Sequence, residues 1–226
     1  MTSLSGKFHY ENKSVSDQVC DTIRKLIINR VIPKGERLVE TSIAKELAVS
    51  ITPVRHAFAQ LSNEGLITVL PFKGSYVTEI SPRYVKDVIQ TRLILEPGAV
   101  QLCFNALNSR DADKLKQHTA KSDEYCVQGS IFEATEEDLA FHDYFFKKSN
   151  NDLLEQMWKS LRTRIQYIQS YTKPQILPPT YLQQRHAGMI AALEKKNLSS
   201  FIENLVHHIE TSFDFSYFEE DVSELA

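Results

Sequence analysis

Apolar residues recur at helical spacing along most of this chain, and the one place where that spacing lapses divides it. Val15, Val19, Ile23, Leu26 and Ile27 share one face of a helix that can begin at Ser14 or Ser16. Ile43, Ala44 and Leu47 make a second, shorter stripe, and Val54, Ala57, Phe58 and Leu61 a third. Ala48-Val49-Ser50 reads as the turn between these two. Ser50 or Thr52 can cap the helix that follows, and Pro53 sits in its first turn, where a missing N–H costs little. Two helices so joined form a helix-turn-helix. The outward positions of the second, Thr52, Arg55, His56, Ala59, Gln60 and Asn63, are mostly polar and can reach phosphates or base edges in a major groove. A plain helical hairpin would show the same pattern. After Gly65, however, LITVL and SYVTEI are β-rich runs separated by PFKG, and a hairpin directly behind a helix-turn-helix is a wing.

Beyond Ser81-Pro82, where proline ends the wing strand and serine can cap a new helix, nothing reads as a strand. Helices are predicted at 82–107, 111–128, 131–149, 151–171, 179–196 and 198–219. They are broken at Asn108-Ser109, Gly129-Ser130, Asn150-Asn151, Pro174 to Pro179 and Asn197. Six helices without strands make a bundle. The expected fold class is therefore mainly α, with a winged helix-turn-helix over residues 1–80 and an all-helical domain over 81–226. The tail from Phe213 is aromatic and acidic, suited to a helix end or a partner contact.

Composition changes this picture little. The chain has 226 residues, 42% hydrophobic and 24% charged, as expected of one or two ordinary domains. No apolar run approaches the roughly 20 residues that span a bilayer, and MTSLSGKFHYENK lacks the basic-then-apolar order of a signal peptide, so a cytoplasmic protein without a membrane partner is expected. Cys20, Cys103 and Cys126 are scattered and read as buried thiols. The net charge of −3 is unevenly spread: residues 1–80 hold 10 Lys and Arg against 8 Asp and Glu, the remainder 16 against 21. DNA binding by the first domain would thus rest on the placement of particular cations more than on bulk charge.

The bundle carries the candidate chemistry. Asp138 and His142 are four apart and share a helix face with Phe145. His186 lies on a stripe with Met189, Ile190 and Leu193, and His208 on a seam with Phe201, Leu205 and Phe215; His207 points about 100° away. Any one of these could be a buried histidine bonded to a backbone carbonyl. Three with an aspartate, all facing a bundle interior, suggest a metal site, because bundle cores build such sites from facing helices. Imidazoles with one carboxylate suit a divalent first-row ion, zinc or nickel foremost. Arg92, followed four residues later by Glu96, is either a surface ion pair or a fixed cation able to hold a small carboxylate against that ion.

The first block, a helix, then PKGERL, then LAVSITPVRHAFAQLSNEGLI and a Lys-Gly wing, resembles the DNA-binding domain of the GntR family of bacterial transcription regulators. Carried over position by position, the resemblance implies DNA contacts by Ser50, Thr52 and Arg55 on the recognition helix and by Lys73 and Gly74 at the wing tip, with Arg37 on the backbone. Ile51 and His56 depart from the usual Arg and Glu; the missing Arg removes a contact worth about 1–3 kcal/mol if it is a bidentate base contact. The second block, EEDLAFHDYFFKKSNNDLL, then RHAGMIAALEKKN, then LVHHIE, resembles the FCD effector domain of the FadR subgroup, in which an Asp-x-x-x-His pair and two further histidines bind metal. The matching positions are Asp138, His142, His186 and His208. IQTRLILEPGAVQLC is similar to that domain's first helix, which places Arg92 toward the effector cavity; Pro97 should interrupt it, and Asn197 replaces a usual acidic residue.

The resemblance implies a homodimeric regulator, a repressor above all, that binds a palindromic double-stranded operator and responds to a small organic acid. No catalytic residues are expected. Two other readings stay open on the residues alone: a metal-dependent enzyme acting on a small carboxylate, for which Glu133, Glu136 or Glu137 could serve as base, and a regulator that senses the metal itself.

Overall fold

A computed structural model describes residues 14–172 and 178–213. Helix α1 (Val15–Ile28) opens with a capping box: Ser14 Oγ accepts the Asp17 N–H, and Asp17 accepts the Ser14 N–H in return. Helices α2 (Glu40–Glu46) and α3 (Ile51–Asn63) are joined by a turn in which Ala48 takes a left-handed φ of 52°. Their apolar faces meet α1 in one core of Val19, Cys20, Ile23, Ile27, Ala44, Val54, Ala57, Phe58 and Leu61. The wing strands β2 (Ile67–Leu70) and β3 (Gly74–Val77) pair antiparallel, with Ile67 opposite Val77 and Leu70 opposite Gly74. A third strand, β1 (Arg37–Leu38), pairs with β3 to give the order β1-β3-β2. Hydrophobic pattern does not announce β1: two residues are too few to show a period.

The remaining helices are α4 (Pro82–Cys103), α5 (Ser109–Val127), α6 (Ile131–Lys148), α7 (Asp152–Thr172), α8 (Tyr181–Glu194) and α9 (Leu198–Glu210), with a 3₁₀ turn at Phe104–Ala106. Among the described residues all three strands lie in the first part of the chain, and the second part is helical throughout. Side chains start the helices where the breaks were expected. Ser81 accepts the Tyr84 N–H ahead of Pro82, Asn108 and Asp111 form a capping box, and Asn197 accepts the Ser200 N–H. The last bond gives Asn197 a local role where an acidic residue is usual.

Pro97 does not interrupt α4, contrary to expectation; the helix continues to Cys103. A proline inside a helix forfeits one backbone bond and crowds the preceding turn. Here the cost is borne because the helix is pinned on both sides, by buried Arg92 and Glu96 before the proline and by buried Ala99, Val100 and Cys103 after it. The predicted 198–219 helix is described to Glu210, and Phe215 with the rest of the tail falls outside the described residues.

Helix α6 runs against α4, α5 and α7, while α8 and α9 pack on each other and reach α5 and α4 respectively. The core around α6 is aromatic. Phe141 and Phe145 meet edge to face, and Phe146 stacks on Trp158 with centroids 4.4 Å apart. The Trp158 indole N–H donates to Asp143 at 2.5 Å, and Arg162 ties Asp143 to Glu136. Helix α7 also grips the winged helix. Tyr167 Oη donates to the Thr78 carbonyl at 2.5 Å, Tyr171 Oη accepts the Lys34 N–H at 3.0 Å, and Arg164 Nη2 donates to the Asn63 carbonyl at the end of α3 at 2.9 Å. Gly65, at φ 79°, leaves the space that this guanidinium fills.

Replacing Trp158 by alanine removes the stacked partner of Phe146 and the indole donor to Asp143, so Trp158→Ala should cost about 3–5 kcal/mol of unfolding free energy in urea titration. A loss below about 1 kcal/mol would mean that this core closes over the gap.

Candidate metal centre and nucleic-acid interface

Three helices bring three imidazoles together. His142 (α6), His186 (α8) and His208 (α9) are all buried, and one ring nitrogen of each lies within 4.8 Å of the others. The rings of His142 and His208 stack with centroids 5.2 Å apart, and those of His186 and His208 lie 4.4 Å apart. His186 Nδ1 stands 2.7 Å from the Leu182 carbonyl one turn back. A carbonyl only accepts, so this nitrogen carries the ring proton and Nε2 presents its lone pair. Asp138 joins the cluster at His186, with Oδ1 3.4 Å from Nε2, while Oδ2 accepts from Gln169 on α7 at 3.2 Å. His207 is exposed, as its position on the helix requires.

The donor set suits a divalent ion on an observation of the fold itself. His142 Nε2 and His208 Nδ1 are fully buried and have no hydrogen-bond partner among the described residues. Orphaned imidazole nitrogens are rare in a packed core, and a borderline cation is the partner that several converging lone pairs can share. Burial pushes His208 well below its ordinary pKa, with the neighbouring His186 and His142 adding to the effect, so its ring stays neutral as a ligand must be.

Arg92 is 1% exposed and Glu96 2%, so the pair is a buried one and the surface alternative is wrong. Period alone misleads there, because α4 is covered on that side by α6 and α9. Arg92 Nε donates to Glu96 Oε1 at 2.5 Å and Nη1 to Ser212 Oγ at 3.2 Å. The other carboxylate oxygen, Glu96 Oε2, lies 2.7 Å from His142 Nδ1, at an angle that leaves the two short of a straight hydrogen bond. Burial by itself would raise the Glu96 carboxyl; the cations of Arg92 and, second, the imidazole of His142 overturn this and hold it at about 2. In the sequence Glu96 stands out only as the partner of Arg92, and Gln169 and Ser212 do not stand out at all. Glu96 carried a signal in its spacing from Arg92, whereas nothing local marks Gln169 or Ser212. Of the three alternative bases, Glu136 is engaged with Arg162 and Glu137 with His118, while Glu133 is exposed in the first turn of α6.

On the winged helix, Ser50 is the N-cap of α3 and makes no side-chain capping bond. Ile51, Thr52, Arg55, His56, Ala59, Gln60 and Asn63 are all exposed. The Arg55 side chain is 66% exposed, and its Nε donates to Glu40 Oε2 at 2.7 Å. Lys73 is exposed at the wing tip, which turns through Phe72 at φ 63° and Gly74 at φ 109°. Arg37 pairs in register with Tyr76 and lies along Gly74, where an added Cβ would sit 3.6 Å from its Nε. Arg37, Lys73 and Gly74 therefore belong to one end of the sheet.

Comparison with known proteins agrees with both halves of this geometry. Residues 15–77 match the bacterial regulatory proteins of the gntR family, and residues 87–211 match the FCD domain, a domain that commonly binds metal. The chain is 23% identical over 196 residues to the HTH-type transcriptional repressor RspR of Escherichia coli (strain K12), covering 87% of this chain and 86% of that protein. It is 24% identical over 198 residues to the HTH-type transcriptional regulator McbR of the same organism, covering 86% and 89%. The solved structure of E. coli McbR/YncC has the same fold, with a TM-score of 0.73 at 23% identity over 89% of this chain and 96% of that one. So has a GntR transcriptional regulator from Rhodococcus sp. RHA1, with a TM-score of 0.73 at 20% identity over 88% and 96%. The chain belongs to the GntR family of bacterial transcription regulators, with an FCD domain behind its winged helix.

Proposed function

We propose that this regulator is a cytoplasmic homodimeric repressor whose residues 1–80 read a palindromic operator and whose residues 81–226 hold a divalent ion, zinc or nickel, beside a small carboxylate effector. The observation that carries the reading is the meeting of three buried imidazoles from three helices, with His142 Nε2 and His208 Nδ1 lacking any hydrogen-bond partner among the described residues. Asp138, His142, His186 and His208 would hold the ion, which when bound supplies cross-links between α6, α8 and α9 and a place for a carboxylate oxygen. Arg92 spends one N–H on Glu96 and one on Ser212, and its remaining N–H groups are the candidates for the effector. Family membership makes the protein a regulator and not an enzyme. No helix among the described residues is long and apolar enough to cross a membrane, in keeping with a cytoplasmic place.

A single winged helix touches only a few base pairs, so useful affinity calls for two heads on two half-sites. An exposed apolar stripe supports a dimer. Ile94 and Leu102 on α4 are 74% and 60% exposed, Leu153 and Met157 on α7 are 67% and 53%, and Gly98 between the first two leaves open space before it. Ile94→Glu should yield a monomer in sedimentation equilibrium; an unchanged dimer would move the interface off α4.

For DNA, Arg55→Ala should weaken binding to a palindromic site by about 1–3 kcal/mol with the fold intact. Lys73→Ala should weaken all sequences alike and reduce the salt slope by about one. Unchanged affinity for either variant at matched salt removes that residue from the interface.

For metal and effector, chelation should lower the melting temperature, because an ion held at about 100 times its Kd contributes about 2.7 kcal/mol to the folded state. His186→Ala should lose both metal and carboxylate binding, whereas Arg92→Ala should keep the metal and lose most carboxylate affinity. Calorimetry with metal content measured on each variant decides the matter. Organic acids bound equally well by Arg92→Ala or by metal-free protein refute the joint site, and release of DNA by metal alone identifies a metal sensor.

The buried His208 adds a pH dependence whose sign is fixed. Its folded pKa lies well below 6.5, so below that pH the unfolded chain takes up a proton that the folded chain refuses. Its contribution to stability is complete above about pH 6.5 and is lost as the pH falls. Urea titration of metal-free protein should therefore give a lower unfolding free energy at about pH 5.5 than at about pH 7.5. Equal values would mean that His208 takes up its proton without unfolding.

A further inference from the structure

We propose that Glu96 is the positioning residue of the metal centre, fixing the ring proton of His142 on Nδ1 and so presenting Nε2 to His186 and His208. The inference rests on the metal reading and goes beyond the four ligands. Glu96 Oε2 is 2.7 Å from His142 Nδ1. A carboxylate oxygen can only accept, and a nitrogen lone pair at that distance would be repelled, so Nδ1 must carry the proton even though the contact is not straight. The carboxylate is itself pinned from the far side, its Oε1 taking the Arg92 N–H at 2.5 Å, and Arg92 is steadied in turn by Ser212 at 3.2 Å.

Burial makes the arrangement decisive. Arg92, Glu96 and His142 are 1%, 2% and 1% exposed, so water cannot take over as acceptor for the ring N–H. His186 is oriented to the same end by another device, its Nδ1 set against the Leu182 carbonyl. Two of the three imidazoles thus turn Nε2 toward the cluster, one directed by its own helix and one by α4. Partners of this kind fix the tautomer and raise ligand basicity, and their loss typically costs 10- to 100-fold in metal affinity. If Glu96 served only to neutralise Arg92, the tautomer of His142 would not depend on it.

The test uses the full chain, labelled with 15N at histidine, and zinc as the probe. In metal-free parent protein the His142 ring, assigned by its absence in His142→Phe, should carry its proton on Nδ1. In Glu96→Gln, Arg92 keeps the amide oxygen, so the amide NH2 faces His142. Nδ1 must then accept, the proton moves to Nε2, and zinc affinity should fall by about 10- to 100-fold with the far-ultraviolet dichroism unchanged. A proton on Nε2 in the parent overturns the proposal, as does zinc bound by Glu96→Gln as tightly as by the parent. The parent spectrum needs no substitution at Glu96, so it decides even if that variant fails to fold. A parent that binds neither zinc nor nickel refutes the metal reading, and the tautomer still reports separately on Glu96.

Discussion

The second domain is built around a constraint: a guanidinium, two carboxylates and three imidazoles are buried in the middle of a helical bundle, and each must be satisfied there. Arg92 and Glu96 meet this demand for each other, since a buried charge without a partner costs several kcal/mol while a hydrogen-bonded pair can break even. That pairing fixes α4 against α6 through His142 and against the end of α9 through Ser212. It also explains how α4 tolerates Pro97. A helix held by a buried ion pair before the proline and by Ala99, Val100 and Cys103 after it can lose one backbone bond without parting.

The imidazoles are not settled in the same way. His186 has its carbonyl, but His142 Nε2 and His208 Nδ1 have no hydrogen-bond partner among the described residues. A core selected for stability alone would place apolar rings at these positions, as it does with Phe141, Phe145 and Phe201 close by.

Much of this was legible in the sequence because its signals are periodic or punctuated. The three stripes of the winged helix, the wing hairpin and the six later helices follow from apolar spacing and from Ser, Asn and Pro at the boundaries, where Ser14, Ser81, Asn108 and Asn197 do cap helices. Asp138, His142, His186 and His208 were visible as polar residues on apolar faces, and the structure brings the three histidines together with Asp138 against His186. What was not legible depends on tertiary neighbours. Two residues of β1 become a strand only because β3 runs beside them, and the spacing of Arg92 and Glu96 is the same on a surface as in a core. Gln169 and Ser212 matter through contacts 31 and 120 residues away in sequence, which no local pattern encodes.

Helix α7 carries the two parts of the problem on one rigid element. Near its end Gln169 donates to Asp138 in the histidine cluster. About one and a half turns earlier Arg164, and beyond it Ser160, donate to the Asn63 carbonyl at the end of the recognition helix, and Tyr167 donates to the backbone at the foot of the wing. A ligand alters DNA affinity only if it binds better to one arrangement of the reading heads than to another. Contacts to the histidine cluster and to the winged helix from one packed helix are a physical means for such a difference to be felt, because a helix with buried Leu161, Ile165 and Ile168 moves as a unit or not at all. The same bonds limit what an effector could achieve: a shift of α7 must break or remake the Arg164 contact, a hydrogen bond from a charged group worth about 1.5–3 kcal/mol, and the Tyr167 contact, a neutral one worth about 0.5–1.5 kcal/mol. That is the size of a typical allosteric coupling of about 1–3 kcal/mol, so an effector that tips these few bonds would need no larger rearrangement to change the affinity for DNA.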